Sequence, residues 1–279
     1  MIERTLISAD SLRTLLASGK PCVLLDCGFD LADPAAGARA HAQGHLPGAR
    51  YAHLDHDLSA PKNGRNGRHP LPTREVFAAT VARWGVRPGT PVVCYDDQGG
   101  PYAARAWWML RWIGHDEVAV LDGGRAAWLV AGGALETALA AEITAAAPYP
   151  LSEASMPTVP ADRLLALLGK VTVLDARAGE RFRGEVETID PVAGHIPGAR
   201  NRFFKDNLRA DGRFRSSAEL RAAFEPFGEP TACVHQCGSG VTACHNLLAM
   251  EHAGLTGSAL YPGSWSEWCA DPGRPVARG

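Results

Sequence analysis

No apolar run in the sequence is long enough to cross a bilayer, and the opening Met1-Ile2-Glu3-Arg4-Thr5-Leu6-Ile7-Ser8-Ala9-Asp10 lacks the apolar core of a secretion signal. No lysine/arginine block stands out either. A net charge of −2 over 279 residues leaves no basic face for a nucleic-acid partner. Regular cysteine spacing is also missing: seven cysteines, an odd number, make no disulfide framework and fit a reducing compartment, so a cytoplasmic location is expected. The 46% hydrophobic residues present can bury ample core, and the length suggests two domains more readily than one.

The chain repeats itself. Val23-Leu24-Leu25-Asp26 returns as Val173-Leu174-Asp175, and Gly44-His45-Leu46-Pro47-Gly48-Ala49-Arg50 returns as Gly194-His195-Ile196-Pro197-Gly198-Ala199-Arg200. Asp122-Gly123-Gly124-Arg125-Ala126-Ala127-Trp128 answers Pro262-Gly263-Ser264-Trp265-Ser266-Glu267-Trp268. Three blocks in one order over so long a period indicate duplicated domains. An Ala/Pro/Ser-rich stretch around Glu136–Pro160 separates them, so the expected domains are 1–138 and 158–279 with a linker at 139–157. Pro91–Tyr95, Val118–Leu121, Ala232–His235 and Ala259–Tyr261 read as strands, and Tyr102–Trp112 and Val241–His252 as the helices between them. Val241, Cys244, Leu247 and Leu248 share one face of the second helix, which Gly254 ends. The fold class is therefore α/β, with two domains each built on a mainly parallel sheet covered by helices on both faces.

One cysteine stands apart. The apolar run Thr231–Val234 leads through His235 and Gln236 into Cys237-Gly238-Ser239-Gly240-Val241-Thr242, directly before a helix. Loop N–H groups and the positive end of the helix would converge on its sulfur, favouring thiolate over thiol and seating anions. An inert buried thiol needs no Gly-x-Gly beside it; close approach of backbone to an anion does. Such a sulfur sits where ligands of open α/β sheets bind, beyond the carboxyl ends of the strands.

The two Gly-His-(Leu/Ile)-Pro-Gly-Ala elements, the Cys-Gly-Ser-Gly-Val-Thr loop in the second half alone, and the closing Gly-Ser-Trp-Ser-Glu-Trp together resemble the two-domain rhodanese sulfurtransferases over nearly the whole chain. The loop is similar to that of the mercaptopyruvate branch, with the thiosulfate branch as its rival. The resemblance implies an enzyme without metal or organic cofactor that takes a sulfane sulfur from a small anionic donor onto Cys237 as a persulfide. The acceptor would be a small thiol, a thioredoxin-like protein or cyanide. It makes Arg181 a substrate-binding residue, able to hold a carboxylate in two bonds, against the alternative of a surface salt bridge to Glu185 or Glu187. Arg183 is read as solvent-facing. Gly238, Gly240, Val241 and Thr242 would line the anion seat. By the same resemblance Asp55 and His69 look toward the loop serine, Ser239, in a relay positioning a proton for the enolate left when sulfur departs; a turn cap and an exposed loop histidine are the alternatives. One departure is plain: counting back from His195, the second substrate arginine of the mercaptopyruvate branch is replaced by Thr188.

Aligning the halves on their tryptophan blocks puts Asp97 opposite Cys237, so the first half is expected to be inert in transfer. His45 and His195 recur in both halves and are read as structural. Other classes fit less well. A cysteine phosphatase needs an arginine where Ala243 stands, and a zinc site from Cys233, Cys237 and Cys244 lacks closed-site spacing, with only His245 and His252 to recruit. A non-enzymatic binding module would not need an intact cysteine loop. Trp107, Trp108, Trp112, Trp265 and Trp268 fit packing better than an aromatic cage; Cys22, Cys27 and Cys269 are read as ordinary thiols, and Cys244, one turn beyond the loop, as packing inward on its helix.

Overall fold

The short apolar runs of the sequence become parallel strands. In the computed structural model, which describes residues 4–141, 143 and 147–279, the chain divides into two units. One comprises Met1–Ser59, Pro72–Ser155 and Ala210–Arg213, the other Ala60–Leu71, Met156–Arg209 and Phe214–Gly279.

The first unit carries β1 (Leu6–Ile7), α1 (Ala9–Ala17), β2 (Val23–Asp26), α2 (Ala36–Gln43), β3 (Arg50–Tyr51), α3 (Arg74–Arg83), β4 (Val92–Tyr95), α4 (Pro101–Trp112), β5 (Val118–Leu121) and α5 (Gly124–Val130). Its strands pair in the order β1-β5-β4-β2-β3, and every pair is parallel. β4 and β5 are buried along their whole length, the condition under which a strand reads as an unbroken apolar run. Leu12, Leu24, Val93, Leu121 and Trp128 pack in one core of this unit. Trp107 and Trp108 are fully buried, as the packing reading expects.

The second unit carries α6 (Ala161–Leu167), β6 (Thr172–Asp175), α7 (Gly179–Arg183), β7 (Arg200–Asn201), α8 (Ser217–Phe224), β8 (Cys233–Gln236), α9 (Thr242–His252), β9 (Ala259–Leu260) and α10 (Ser264–Trp268). Its sheet runs β7-β6-β8-β9, again parallel throughout, with Thr158 adding one parallel bridge to Leu260. Central α9 is buried from Ala243 to Met250, which explains why it is apolar on more than one side. Tyr261, Trp265 and Trp268 close the core against Val173, Ile196 and Val234.

The two repeated histidines do the same work in their own units. His45 sits in an antiparallel bridge to Glu136 and His195 in one to Ala277, and their Nδ1 atoms bond to His41 O at 2.7 Å and Phe182 O at 2.8 Å. Met1–Glu3 of the opening segment, and positions 142 and 144–146 of the expected linker, lie outside the described residues. The rest of that linker is partly fastened to the first unit: the Tyr149 N–H donates to Ala78 O at 3.1 Å, and the Ser155 hydroxyl donates to Arg111 O at 2.8 Å. Among the described residues no helix is long and apolar enough to cross a membrane.

Candidate active site

Strand β8 delivers Cys237 just past its carboxyl end, and five residues later α9 begins. The loop turns back on the sulfur: Cys237 Sγ receives the N–H groups of Gly240 at 3.1 Å and Ser239 at 3.5 Å. Donors fixed around one atom stabilise negative charge there without reorganising. Gly240 makes this close turn possible, with φ +76° and so little room that a Cβ would come within 2.2 Å of Pro262 O. Val241 is the cap residue of α9 and Thr242 its first residue, so both lie on the loop as expected. Cys237 itself is buried, 2% exposed. The other thiols behave differently. Those of Cys27, Cys233 and Cys244 donate to backbone carbonyls, and burial pushes Cys22 and Cys269 up to about 11. Burial also raises Cys27 and Cys233, so none of Cys22, Cys27, Cys233 and Cys269 favours the thiolate, in line with the reading of Cys22, Cys27 and Cys269 as ordinary thiols.

The closing Gly-Ser-Trp-Ser block braces the loop from below. Ser264 Oγ accepts the Cys237 N–H at 3.1 Å, while the N–H groups of Trp265 and Ser266 donate to the carbonyls of Cys237 and Gly238, each at 3.0 Å. Ser264 is the one non-glycine described residue with positive φ, +53°. Its counterpart in the repeated block is Gly124, φ +57°, so the second half places a hydroxyl where the first has only a hydrogen. Sequence reasoning found the block and missed this role.

His69 and Ser239 are brought together. The segment Ala60–Leu71 belongs to the second unit, and His69 Nδ1 lies 2.8 Å from Ser239 Oγ. His69 is 3% exposed, which overturns the exposed-loop alternative. Asp55 lies in the first unit, where its N–H donates to His53 Nδ1 at 3.1 Å.

Arg181 stands on α7 with its guanidinium beside the loop: a Cβ on Gly238 would lie 3.5 Å from its Nη1. The same guanidinium bonds Glu187 at 2.8 Å and Asp190 at 3.2 Å. Salt bridge and loop-facing cation therefore coexist, on a side chain only 19% exposed. Glu187 would be raised by its burial, but the N–H groups of Asp190 and Ile189 and the Arg181 guanidinium hold it below the usual range. Deeper in, Arg177 forks onto Asp175, with bonds of 2.7 and 3.1 Å, and lies over Trp265 at 4.9 Å. Arg183 pairs with exposed Glu185, away from this chain of charges. Arg68, a residue that sequence reasoning passed over, pairs with Asp190 and also approaches Gly238. Position 188 is an exposed threonine.

The first unit corrects one alignment. Asp26 pairs with Tyr95 as Asp175 pairs with Gln236, so the residue after the strand, equivalent to Cys237, is Asp96 and not Asp97. The carboxylate of Asp96 fills its own loop: Oδ1 accepts from Gln98 and Gly100 at 2.9 and 2.8 Å, and Oδ2 from Tyr102 and Ala103 at 2.9 and 3.0 Å. Asp97 instead pairs with Arg125. Among the described residues no cluster of three or more His, Cys, Asp or Glu side chains could hold a metal ion.

Comparison with known proteins agrees with this architecture. The rhodanese-like domain family matches residues 8–131 and again 160–271. A protein of Pseudomonas aeruginosa named probable 3-mercaptopyruvate sulfurtransferase is 49% identical over the full length of both chains. One of Mycobacterium tuberculosis named putative thiosulfate sulfurtransferase SseB is 42% identical over 99% of this chain and 98% of its own. Among solved structures, the 3-mercaptopyruvate sulfurtransferase SseA of Escherichia coli is 29% identical with a TM-score of 0.79, over 94% of this chain and 99% of its own. With the family matched in two successive copies, this chain belongs to the rhodanese family, in the group of tandem-domain sulfurtransferases.

Proposed function

We propose that this sulfurtransferase takes its sulfur from 3-mercaptopyruvate and carries it as a persulfide on Cys237. In the proposed step the Cys237 thiolate attacks the donor's sulfur, the S–S bond forms and the donor's C–S bond breaks. The electron pair of that bond passes to carbon, giving the enolate of pyruvate, and one proton completes pyruvate. The observation that carries this reading is the placing of Ser239, whose backbone N–H donates to the Cys237 sulfur and whose hydroxyl Oγ lies 2.8 Å from His69 Nδ1. A hydroxyl so placed can give the carbanionic carbon its proton and be replenished by the imidazole. Thiosulfate, by contrast, leaves as sulfite and calls for no proton on carbon. Asp55's part in the relay rests on the family resemblance alone. Gly238, Gly240, Val241 and Thr242 form the seat of the transferred sulfur, and Arg181 takes the donor's negative end. The acceptor is a small thiol, a thioredoxin-like protein or cyanide, in a reducing cytoplasm suited to seven cysteines that form no disulfide.

Intact-mass measurement after separate incubation with mercaptopyruvate and thiosulfate tests the reading. Mercaptopyruvate is expected to add the mass of one sulfur to the wild type and none to Cys237→Ser, with kcat/KM above that for thiosulfate by about tenfold or more. His69→Ala and Ser239→Ala should each lower kcat for mercaptopyruvate by roughly 10²-fold or more. A thiosulfate preference, or a Cys237→Ser protein that still loads sulfur, would refute it.

A further inference from the structure

The family's second substrate arginine is missing from position 188, yet the loop does not lack a second cation. Arg68 comes from the segment Ala60–Leu71, far from α7 in sequence but in the same unit. A Cβ placed on Gly238 would lie 2.7 Å from Arg68 Nη2 and 3.5 Å from Arg181 Nη1. Two guanidinium groups thus reach the residue that directly follows the nucleophile. Asp190 joins them, bonded to both, and sets their spacing in the free protein.

Arg68 is also held at its root. Its N–H donates to Ser266 Oγ at 3.0 Å, and Gly67, φ +85°, packs so closely on the closing block that a Cβ there would lie 2.8 Å from Gly263 O. A cation anchored in this way is positioned before any ligand arrives, which removes part of the ordering cost of binding. With Nη1 turned to Asp190, Nη2 is the atom presented at Gly238.

We propose that Arg68 is the second cation of the donor's carboxylate clamp, acting with Arg181 in place of the arginine that Thr188 lacks. The inference rests on the sulfurtransferase reading and deepens it by naming what recognises the donor. In a 3-mercapto-2-oxo acid the carboxylate begins three bonds beyond the sulfur, and neighbouring Cα atoms are ~3.8 Å apart. A sulfur over Cys237 therefore brings the carboxylate to the neighbourhood of Gly238, between the two forks. Gly238 is required there because a side chain would occupy the space the carboxylate needs. The acidic residues at 187 and 190 do not exclude an anion: each is already engaged by arginine.

Alkylation separates carboxylate recognition from sulfur chemistry. Iodoacetate and iodoacetamide attack the same thiolate and differ in one charged group, so the ratio of their rate constants at Cys237, followed by peptide mass mapping, reports the clamp whether or not sulfur is transferred. Wild type should favour iodoacetate relative to a free thiol. Arg68→Leu should lower the ratio by about tenfold or more and raise KM for mercaptopyruvate more than it lowers kcat, with Arg68→Lys between the two. Arg68→Gln, closer in length and polarity, runs in parallel with thermal melting to separate lost recognition from lost folding. A ratio within twofold of wild type in folded Arg68→Leu or Arg68→Gln overturns the proposal while leaving the persulfide reading intact. Failure of mercaptopyruvate to load wild-type Cys237 would instead strike that reading and leave the ratio informative.

Discussion

Ser264 shows how one side chain can hold a reactive loop at a local cost. Its φ of +53° is a conformation that favours glycine, and its hydroxyl accepts the Cys237 N–H while donating to Tyr261 O at 3.0 Å. Two terms can be separated by substitution. Ser264→Ala keeps the strain and strands a buried N–H, which should cost about 1–3 kcal/mol. Ser264→Gly loses the same bond but relieves the backbone, so it should be more stable than Ser264→Ala by about 1 kcal/mol. Both should load sulfur more slowly than wild type, because Cys237 is no longer tethered through its own amide. Urea denaturation measures the order, and an alanine variant as stable as the glycine variant would refute the strain argument.

At the scale of the element, β8 carries a buried histidine that takes no part in the loop. His235 is fully buried between β6 and β9, with Nε2 3.1 Å from Met250 Sδ, and burial pushes its imidazole down to about 3. The unfolded chain binds that proton near pH 6.5. As pH falls below 6.5 the unfolded state gains a proton the folded state refuses, so this stability is present above pH 6.5 and is lost progressively toward pH 3. Between pH 7 and 5 the residue should contribute about 2 kcal/mol of acid sensitivity. Comparing chemical denaturation of wild type and His235→Leu at the two pH values checks this; equal slopes would show that His235 is not the acid-labile group. The strand itself was readable from the apolar run Thr231–Val234 that enters it, although His235 and Gln236 complete it, and its helix was readable because Gly and Val lead directly into it. The expected boundaries differ by one residue at Pro91, Tyr102, Ala232, His235, Val241 and Tyr261, because the end residues of strands and helices share their composition with the adjoining turns. Arg68 and Ser264 were not readable. One reaches the loop only through tertiary return of a distant segment, and the other depends on a backbone angle that a serine does not advertise.

For the whole molecule, the informative comparison is between its two copies of one strand–loop–helix. The stretch from Asp96 to Gly124 is one residue longer than that from Cys237 to Ser264, so alignment on the tryptophan blocks slips to Asp97, whereas sheet register selects Asp96. Duplication thus left one loop of inward N–H groups closed on its own carboxylate and the other on a sulfur. Burial drives the Asp96 carboxyl up, opposed by the N–H groups of Ala103, Gln98, Gly100 and Tyr102. A carboxyl group held by four donors leaves no place in this loop for an external anion, and we propose on that ground that the first unit transfers no sulfur itself. Its function in that unit is conformational: the carboxylate satisfies the first turn of α4 and the turn before it. Asp96→Asn keeps the size but replaces one acceptor oxygen with a donor facing the N–H groups of α4. It should destabilise the protein by roughly 3 kcal/mol, read as a lower urea midpoint. Since Cys237 and its supports lie in the other unit, the Asn variant should still acquire one sulfur on Cys237 under native conditions. Stability unchanged by Asp96→Asn would mean that the four N–H groups find other acceptors, and the parallel between the two loops would fail.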